Sequence, residues 1–174
     1  VFGYALFAAL LFGASALPSL SPDEREAMAW AKANTGENDR FLIITGDRWG
    51  DDRSSEWFPA LAERMSVGTV QGYEGAGSGI FARRVAFSEG LRRCAQADAQ
   101  CVEDWILAAD EEVSYLYVPK RPNLQPYSAR STIERRDDCC APLRRSLTND
   151  ERWVEVYNGP GAAIYAYRPS ADVT

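Results

Sequence analysis

The chain has 174 residues, 46% of them hydrophobic and 11% aromatic, which suits one well-buried domain and argues against a disordered chain. Its net charge of −6 argues against nonspecific nucleic-acid binding, which needs clustered Lys and Arg to displace counterions. With 0 histidines, Ser-His-Asp and Cys-His catalysis and His-ligated metal sites are excluded, and any acid–base chemistry falls to carboxylates, lysine or tyrosine.

The chain opens on Val1 rather than Met, which predicts further sequence upstream. Val1 to Leu17 carries no charge. At this length an apolar run sits at the lower limit for a helix across a bilayer, and Gly3, Gly13 and the alanines suit packing against other membrane helices. Two other readings fit the same residues. Ala14-Ser15-Ala16 resembles a signal-peptide cleavage site, although no basic region precedes it, and a buried core helix is the third option. The favoured division is a truncated transmembrane helix over 1–18, an extracytoplasmic α/β domain over 19–169 and a loose tail over 170–174.

Ser21-Pro-Asp-Glu24 reads as a capping box with proline at the first helical position, and the helix it starts ends near Asn34-Thr-Gly36. Phe41 to Ile44 is a short solid apolar run, the pattern of a strand buried on both faces. It breaks at Thr45-Gly46 into a polar segment with Asp47, Arg48, Trp49, Asp51, Asp52 and Arg53. Ser54 or Ser55 then reads as an N-cap, Glu56 as a first-turn acid, and Phe58, Leu61 and Met65 as the core face of a short helix over about 57–65. Strand, charged loop and helix in this order place a candidate ligand site at the carboxyl end of the strand.

A second strand is predicted over 66–71, parallel to the first because one helix joins them. Gly72-Tyr-Glu-Gly-Ala-Gly-Ser-Gly79 follows, with Arg83 and Arg84 just beyond. Its backbone amides could cradle an anion, but it is neither a Walker loop nor Gly-x-Gly-x-x-Gly, and a flexible loop is the better reading. Its position is more informative, since it should lie beside the loop from Asp47 to Glu56. Helical pieces over 87–95 and 102–109, a third strand over 115–118 ending in Pro119-Lys-Arg-Pro122, helical stretches over 131–136 and 142–147, and strands over 153–157 and 162–167 around the turn Asn158-Gly-Pro-Gly161 complete the chain. The predicted fold is α/β, a mainly parallel sheet flanked by helices with a C-terminal β-hairpin.

The cysteines form two local pairs, Cys94 with Cys101 and the adjacent Cys139 and Cys140. In one straight helix Cys94 and Cys101 would stand about 10 Å apart, too far to bridge, so a bond between them requires a helix break. Sequence does not choose among the pairings of four cysteines. A staple between Cys94 and Cys101 is favoured for an extracytoplasmic domain, and a zinc site of four thiolates is the alternative, without the usual paired spacing.

Glu26-Ala-Met-Ala-Trp-Ala-Lys-Ala-Asn-Thr35, Arg40-Phe-Leu-Ile-Ile-Thr45, Ser55-Glu-Trp-Phe-Pro-Ala-Leu-Ala-Glu-Arg-Met-Ser66 and Val156-Tyr-Asn-Gly-Pro-Gly-Ala-Ala-Ile-Tyr165 occur in order behind an apolar segment. Together they resemble the C-terminal extramembrane domain of bacterial GT-C-type membrane glycosyltransferases, the group that includes protein mannosyltransferase-like and oligosaccharyltransferase-like proteins. The resemblance covers most of 20–168 and rests on loose motifs. It implies transfer of a sugar from a polyprenyl-phosphate donor to an acceptor the sequence does not identify, on the extracytoplasmic face of a cell membrane. In that group the main catalytic carboxylate lies in an outer loop between membrane helices, outside this chain, so no catalytic residue is assigned. Oligosaccharyltransferases carry a Trp-Trp-Asp motif after the first strand; Arg48-Trp49-Gly50-Asp51-Asp52 stands in a similar place but lacks the tandem tryptophan.

The candidate substrate contacts are Asp47, Trp49, Asp51, Asp52, Glu56, Trp57, Tyr73 and Glu74. The candidate phosphate contacts are Arg83, Arg84, Lys120 and Arg121. Trp57 reads equally as sugar contact or core. No cofactor is expected in this chain, and nothing marks a divalent-metal site, although a metal is compatible with the parent enzyme. The membrane and a lipid-linked donor are the expected partners. The competing readings are a non-catalytic extracytoplasmic binding or structural domain and, without a motif to support it, a hydrolase using Asp51 and Glu56.

Overall fold

A computed structural model of the chain describes residues 20–120 and 139–169. Among them are five helices and a five-stranded sheet. In chain order they are α1 (Pro22–Asn34), β1 (Arg40–Ile43), α2 (Arg53–Ala62), β2 (Met65–Ser66), α3 (Ser78–Cys94), α4 (Ala99–Ala109), β3 (Tyr115–Pro119), α5 (Ala141–Thr148), β4 (Trp153–Asn158) and β5 (Ala162–Tyr167). The expected N-terminal membrane helix, the helical stretch over 131–136 and the tail over 170–174 lie outside the described residues. No helix among the described residues is long and apolar enough to cross a membrane.

The strand order is β2-β1-β3-β5-β4. β1 pairs parallel with β2 and β3, while β5 pairs antiparallel with β3 and β4. The sheet is therefore mixed, and its antiparallel half is larger than the sequence reading allowed. The C-terminal hairpin does not stand aside: β5 docks directly on β3 over five register pairs, from Tyr115↔Ala166 to Pro119↔Ala162.

Side-chain alternation explains why the strands read as solid apolar runs. Phe41, Ile43, Tyr117 and Ile164 pack against Ala27, Met28 and Ala31 of α1 and Phe58 and Ala62 of α2. Leu42, Ile44, Leu116, Val118 and Tyr165 face the other way, into Leu91 of α3, Val102 and Trp105 of α4, and Leu143 and Leu147 of α5. Both faces are covered, so a polar residue has no favourable place in β1 or β3.

Three local features differ from the sequence reading. First, α2 begins at Arg53 because Asp52, not Ser54 or Ser55, is the N-cap; its carboxylate accepts the Ser55 amide at 3.0 Å. Second, β2 spans only 2 residues, after which Val67 gives one amide bond to the Phe41 carbonyl and the chain leaves the sheet. Third, α3 starts at Ser78 inside the glycine-rich segment, following Gly77 at φ +89°. The capping box of α1 forms as read: Glu24 accepts from the Ser21 amide and hydroxyl, and Ser21 accepts from the Glu24 amide.

Cys94 and Cys101 are bonded, with Cα atoms 5.5 Å apart, across the break between α3 and α4. Because β1, β2 and β3 run parallel, the segments leaving Ile43, Ser66 and Pro119 emerge on one edge of the sheet.

Candidate functional site

At that edge the chain leaves β1 through Ile44 and the buried Thr45, then turns at Gly46 with φ +76°. A side chain at Gly46 would also press on Ala95, 3.2 Å away, so both backbone and space require glycine. The turn carries the chain over to Asp52, which caps α2. Asp52 Oδ2 accepts the Thr45 hydroxyl at 2.8 Å and the Ser55 hydroxyl at 2.7 Å. Thr45 Oγ1 in turn accepts the Asp47 amide at 3.2 Å, which orients its proton toward Asp52.

Burial pushes the Asp52 carboxyl up to about 6, against the lowering effect of its bonds from Ser55 and Thr45; the charge of Asp47 adds to the rise. Asp52 is thus at once the cap of α2 and an acid with a raised pKa that lines a cleft.

The second loop closes on the first. Gln71 Nε2 donates to the Trp49 carbonyl at 2.6 Å, and the Trp49 ring meets Phe81 of α3 edge-on with centroids 5.6 Å apart. Pro59, within α2, has no N–H for the Ser55 carbonyl, and the Thr69 hydroxyl approaches that oxygen at 3.4 Å. Ser88, Leu91 and Arg92 of α3 form the remaining wall. The resulting cleft takes in about 310 Å³ with its open mouth. Little of that space is enclosed: about 10 Å³ is open to a water-sized group. A ligand larger than one water would therefore rest largely in the open part of the cleft.

A second, wider basin of about 430 Å³ lies between α5 and the β4–β5 hairpin. Lys120, Arg144 and Arg145 line it against one acid, Glu155, which makes it a positive patch on an acidic chain. Lys120 Nζ donates to Asn158 Oδ1 there, and Arg144 donates to the Pro119 carbonyl at 2.9 Å. Since Lys120 follows β3, basin and cleft share the same sheet edge.

Of the candidate substrate contacts, the cleft gathers Asp47, Trp49 and Asp52. Asp51 is exposed on the adjoining turn. Glu56 and Trp57 are exposed on α2, Trp57 at 50%, and do not line the cleft. Tyr73 lies under the Arg84 guanidinium, 4.6 Å from its ring centre, and Glu74 accepts the Gly72 amide at 2.8 Å.

The candidate phosphate contacts do not form one group. Arg83 is exposed on α3. Arg84 is committed to the Val67 carbonyl at 2.7 Å and to Glu111 at 3.2 Å, and Glu111 also holds Arg40. Lys120 stands in the basin, and Arg121 lies outside the described residues.

Sequence reasoning missed Thr45, Ser55, Thr69, Gln71, Ser88 and Arg92 in the cleft and Arg144 and Arg145 in the basin. Ser88 and Arg92 are four apart on α3, a shared-face spacing already legible within the helical piece predicted over 87–95. Among the described residues no three His, Cys, Asp or Glu side chains come together as a metal site. No family model and no curated protein matches the chain.

Proposed function

We propose that this domain is the substrate-facing extracytoplasmic module of a membrane glycosyltransferase that uses a polyprenyl-phosphate-linked sugar, and that it holds substrate while the main catalytic carboxylate lies elsewhere in the parent protein. One observation carries the reading: the buried Asp52 and the half-buried Trp49 line the same small cleft. A carboxylate that accepts a hydroxyl, next to an aromatic surface, is the arrangement a pyranose needs, because its hydroxyl edges are polar and its C–H faces apolar. The basin of Lys120 and Arg145 on the same edge supports the second half of the reading, since cations there suit the phosphate of a lipid-linked donor.

The test uses the parent protein in membranes, with glycosyl transfer from a polyprenyl-phosphate sugar as readout. Trp49→Ala and Asp52→Asn are each expected to lower kcat/KM by about tenfold or more, the loss of one hydrogen bond to a charged group or one aromatic contact. The exposed Glu37→Gln is the control and stays at the parent rate. Full transfer by both cleft variants would reject the reading.

A further inference from the structure

Cys139 and Cys140 are bonded to each other as a vicinal disulfide at the start of α5, with Cys140 as its N-cap residue. Closing a ring between neighbours removes little freedom from the unfolded chain, so this bond does not serve as a staple in the way the Cys94–Cys101 bond does. Its surroundings point to another role. Cys140 is fully buried, with Sγ 3.6 Å from the Ile44 carbonyl oxygen, while Cys139 is only partly buried, with Sγ 3.8 Å from the Pro119 carbonyl oxygen. In the disulfide neither sulfur carries a proton. In the dithiol each S–H would find an acceptor already within sulfur hydrogen-bonding reach, at the carboxyl ends of two neighbouring strands. Both redox states are thus accommodated by the same pocket. The pair also stands beside the cleft: Cys139 Cβ lies 3.9 Å from where a side chain at Gly46 would begin, and Ile44, whose carbonyl faces Cys140 Sγ, lines the cleft with Gly46.

We propose that Cys139–Cys140 is a reversible thiol–disulfide exchange site for a dithiol reductant, and that its redox state alters the loop from Thr45 to Asp52 through Gly46. The proposal does not depend on the glycosyltransferase reading. One thiolate of the dithiol attacks Cys139 Sγ, the more accessible sulfur. The Cys139–Cys140 bond breaks, and Cys140 leaves as a thiolate that takes up a proton. The second thiol of the reagent then attacks its own sulfur in the mixed disulfide and releases Cys139. The reagent leaves as a cyclic disulfide, and two electrons and two protons have passed to the chain.

The experiment treats the oxidised full-length chain with graded dithiothreitol under native conditions, traps thiols with N-ethylmaleimide and assigns them by peptide mass spectrometry. Labels are expected at Cys139 and Cys140 at a reductant concentration about tenfold below that which opens Cys94–Cys101, with the circular dichroism retained and the bond restored on reoxidation. Amide resonances of Thr45 to Asp52 shift on reduction, and the Cys139→Ala/Cys140→Ala chain shows the reduced-state positions. Opening of Cys94–Cys101 first or together with the vicinal pair, labels on Cys139 and Cys140 before any reductant, or cross-pairing between the two sets overturns the exchange site. Resonances of Thr45 to Asp52 that ignore the redox state overturn the coupling.

Discussion

The Thr45 hydroxyl donates to Asp52 Oδ2 at 2.8 Å, joining the end of β1 to the cap of α2 across the six residues of the turn between them. This bond makes the polar loop after β1 a built structure, and it fixes the buried acid on which the cleft depends.

Asp52 makes stability depend on pH in the sense opposite to most acids. Folding raises its pKa from 3.8 to about 6, so the folded chain holds a proton in that window that the unfolded chain has released. Its contribution is fully present below pH 3.8 and is lost as pH rises through 6, a swing of roughly 3 kcal/mol. Asn caps a helix about as well as Asp. Urea unfolding at pH 4 and pH 8 is therefore expected to find Asp52→Asn more stable than the parent at pH 8, with that advantage absent at pH 4.

Among the described residues, the Thr69 hydroxyl is the side-chain donor that reaches the Ser55 carbonyl left open by Pro59. Thr69→Val keeps the shape and removes the hydroxyl. A loss of about 1 kcal/mol is expected in chemical denaturation, and the double variant with Pro59→Ala recovers part of it by returning an N–H to that oxygen. Equal losses with proline and with alanine at 59 would count against the link.

Gly161 touches the first turn of α1: a methyl group there would overlap the Asp23 carbonyl and the Glu24 amide, which are backbone and cannot rotate away. Gly161→Ala should cost roughly 3 kcal/mol, read as a lower midpoint in thermal or urea unfolding. Alanine at the exposed Gly75, where nothing lies within 4 Å, is the comparison and should be close to neutral.

Tyr117 is fully buried, and its hydroxyl finds no partner among the described residues. Burial, and after it the charge of Glu24, pushes its pKa well above the usual phenol value. Tyr117→Phe removes an unsatisfied group without opening a large cavity, so a gain of about 1 kcal/mol is expected on unfolding. A loss of that size would show that the hydroxyl is bonded in solution.

The strands were legible because β1 and β3 are buried on both faces and therefore read as unbroken apolar runs. The capping box at Ser21 and Glu24 and the hairpin around Asn158 were legible for a similar reason: their chemistry is local. The start of α2 was not, because Asp52, Ser54 and Ser55 are all competent caps and only the pull of Thr45 on Asp52 decides among them. The cleft was half legible. Asp47, Trp49 and Asp52 are conspicuous in sequence, whereas Thr69, Gln71, Ser88 and Arg92 are ordinary residues that acquire a role only when β2 and α3 are folded beside the first loop. Arg84 misled for the converse reason, since nothing in the sequence shows that Glu111 and the Val67 carbonyl already occupy it.

Contact between substrate and the cleft is tested most directly by photocrosslinking in the parent membrane protein, with a diazirine placed on the transferred sugar of a polyprenyl-phosphate donor and adducts mapped by peptide mass spectrometry. Adducts on Thr45 to Asp52 and on Thr69 to Gln71, lost when unlabelled donor competes, are the predicted result. Competable adducts confined to other parts of the protein, with none on these two loops, would contradict the account.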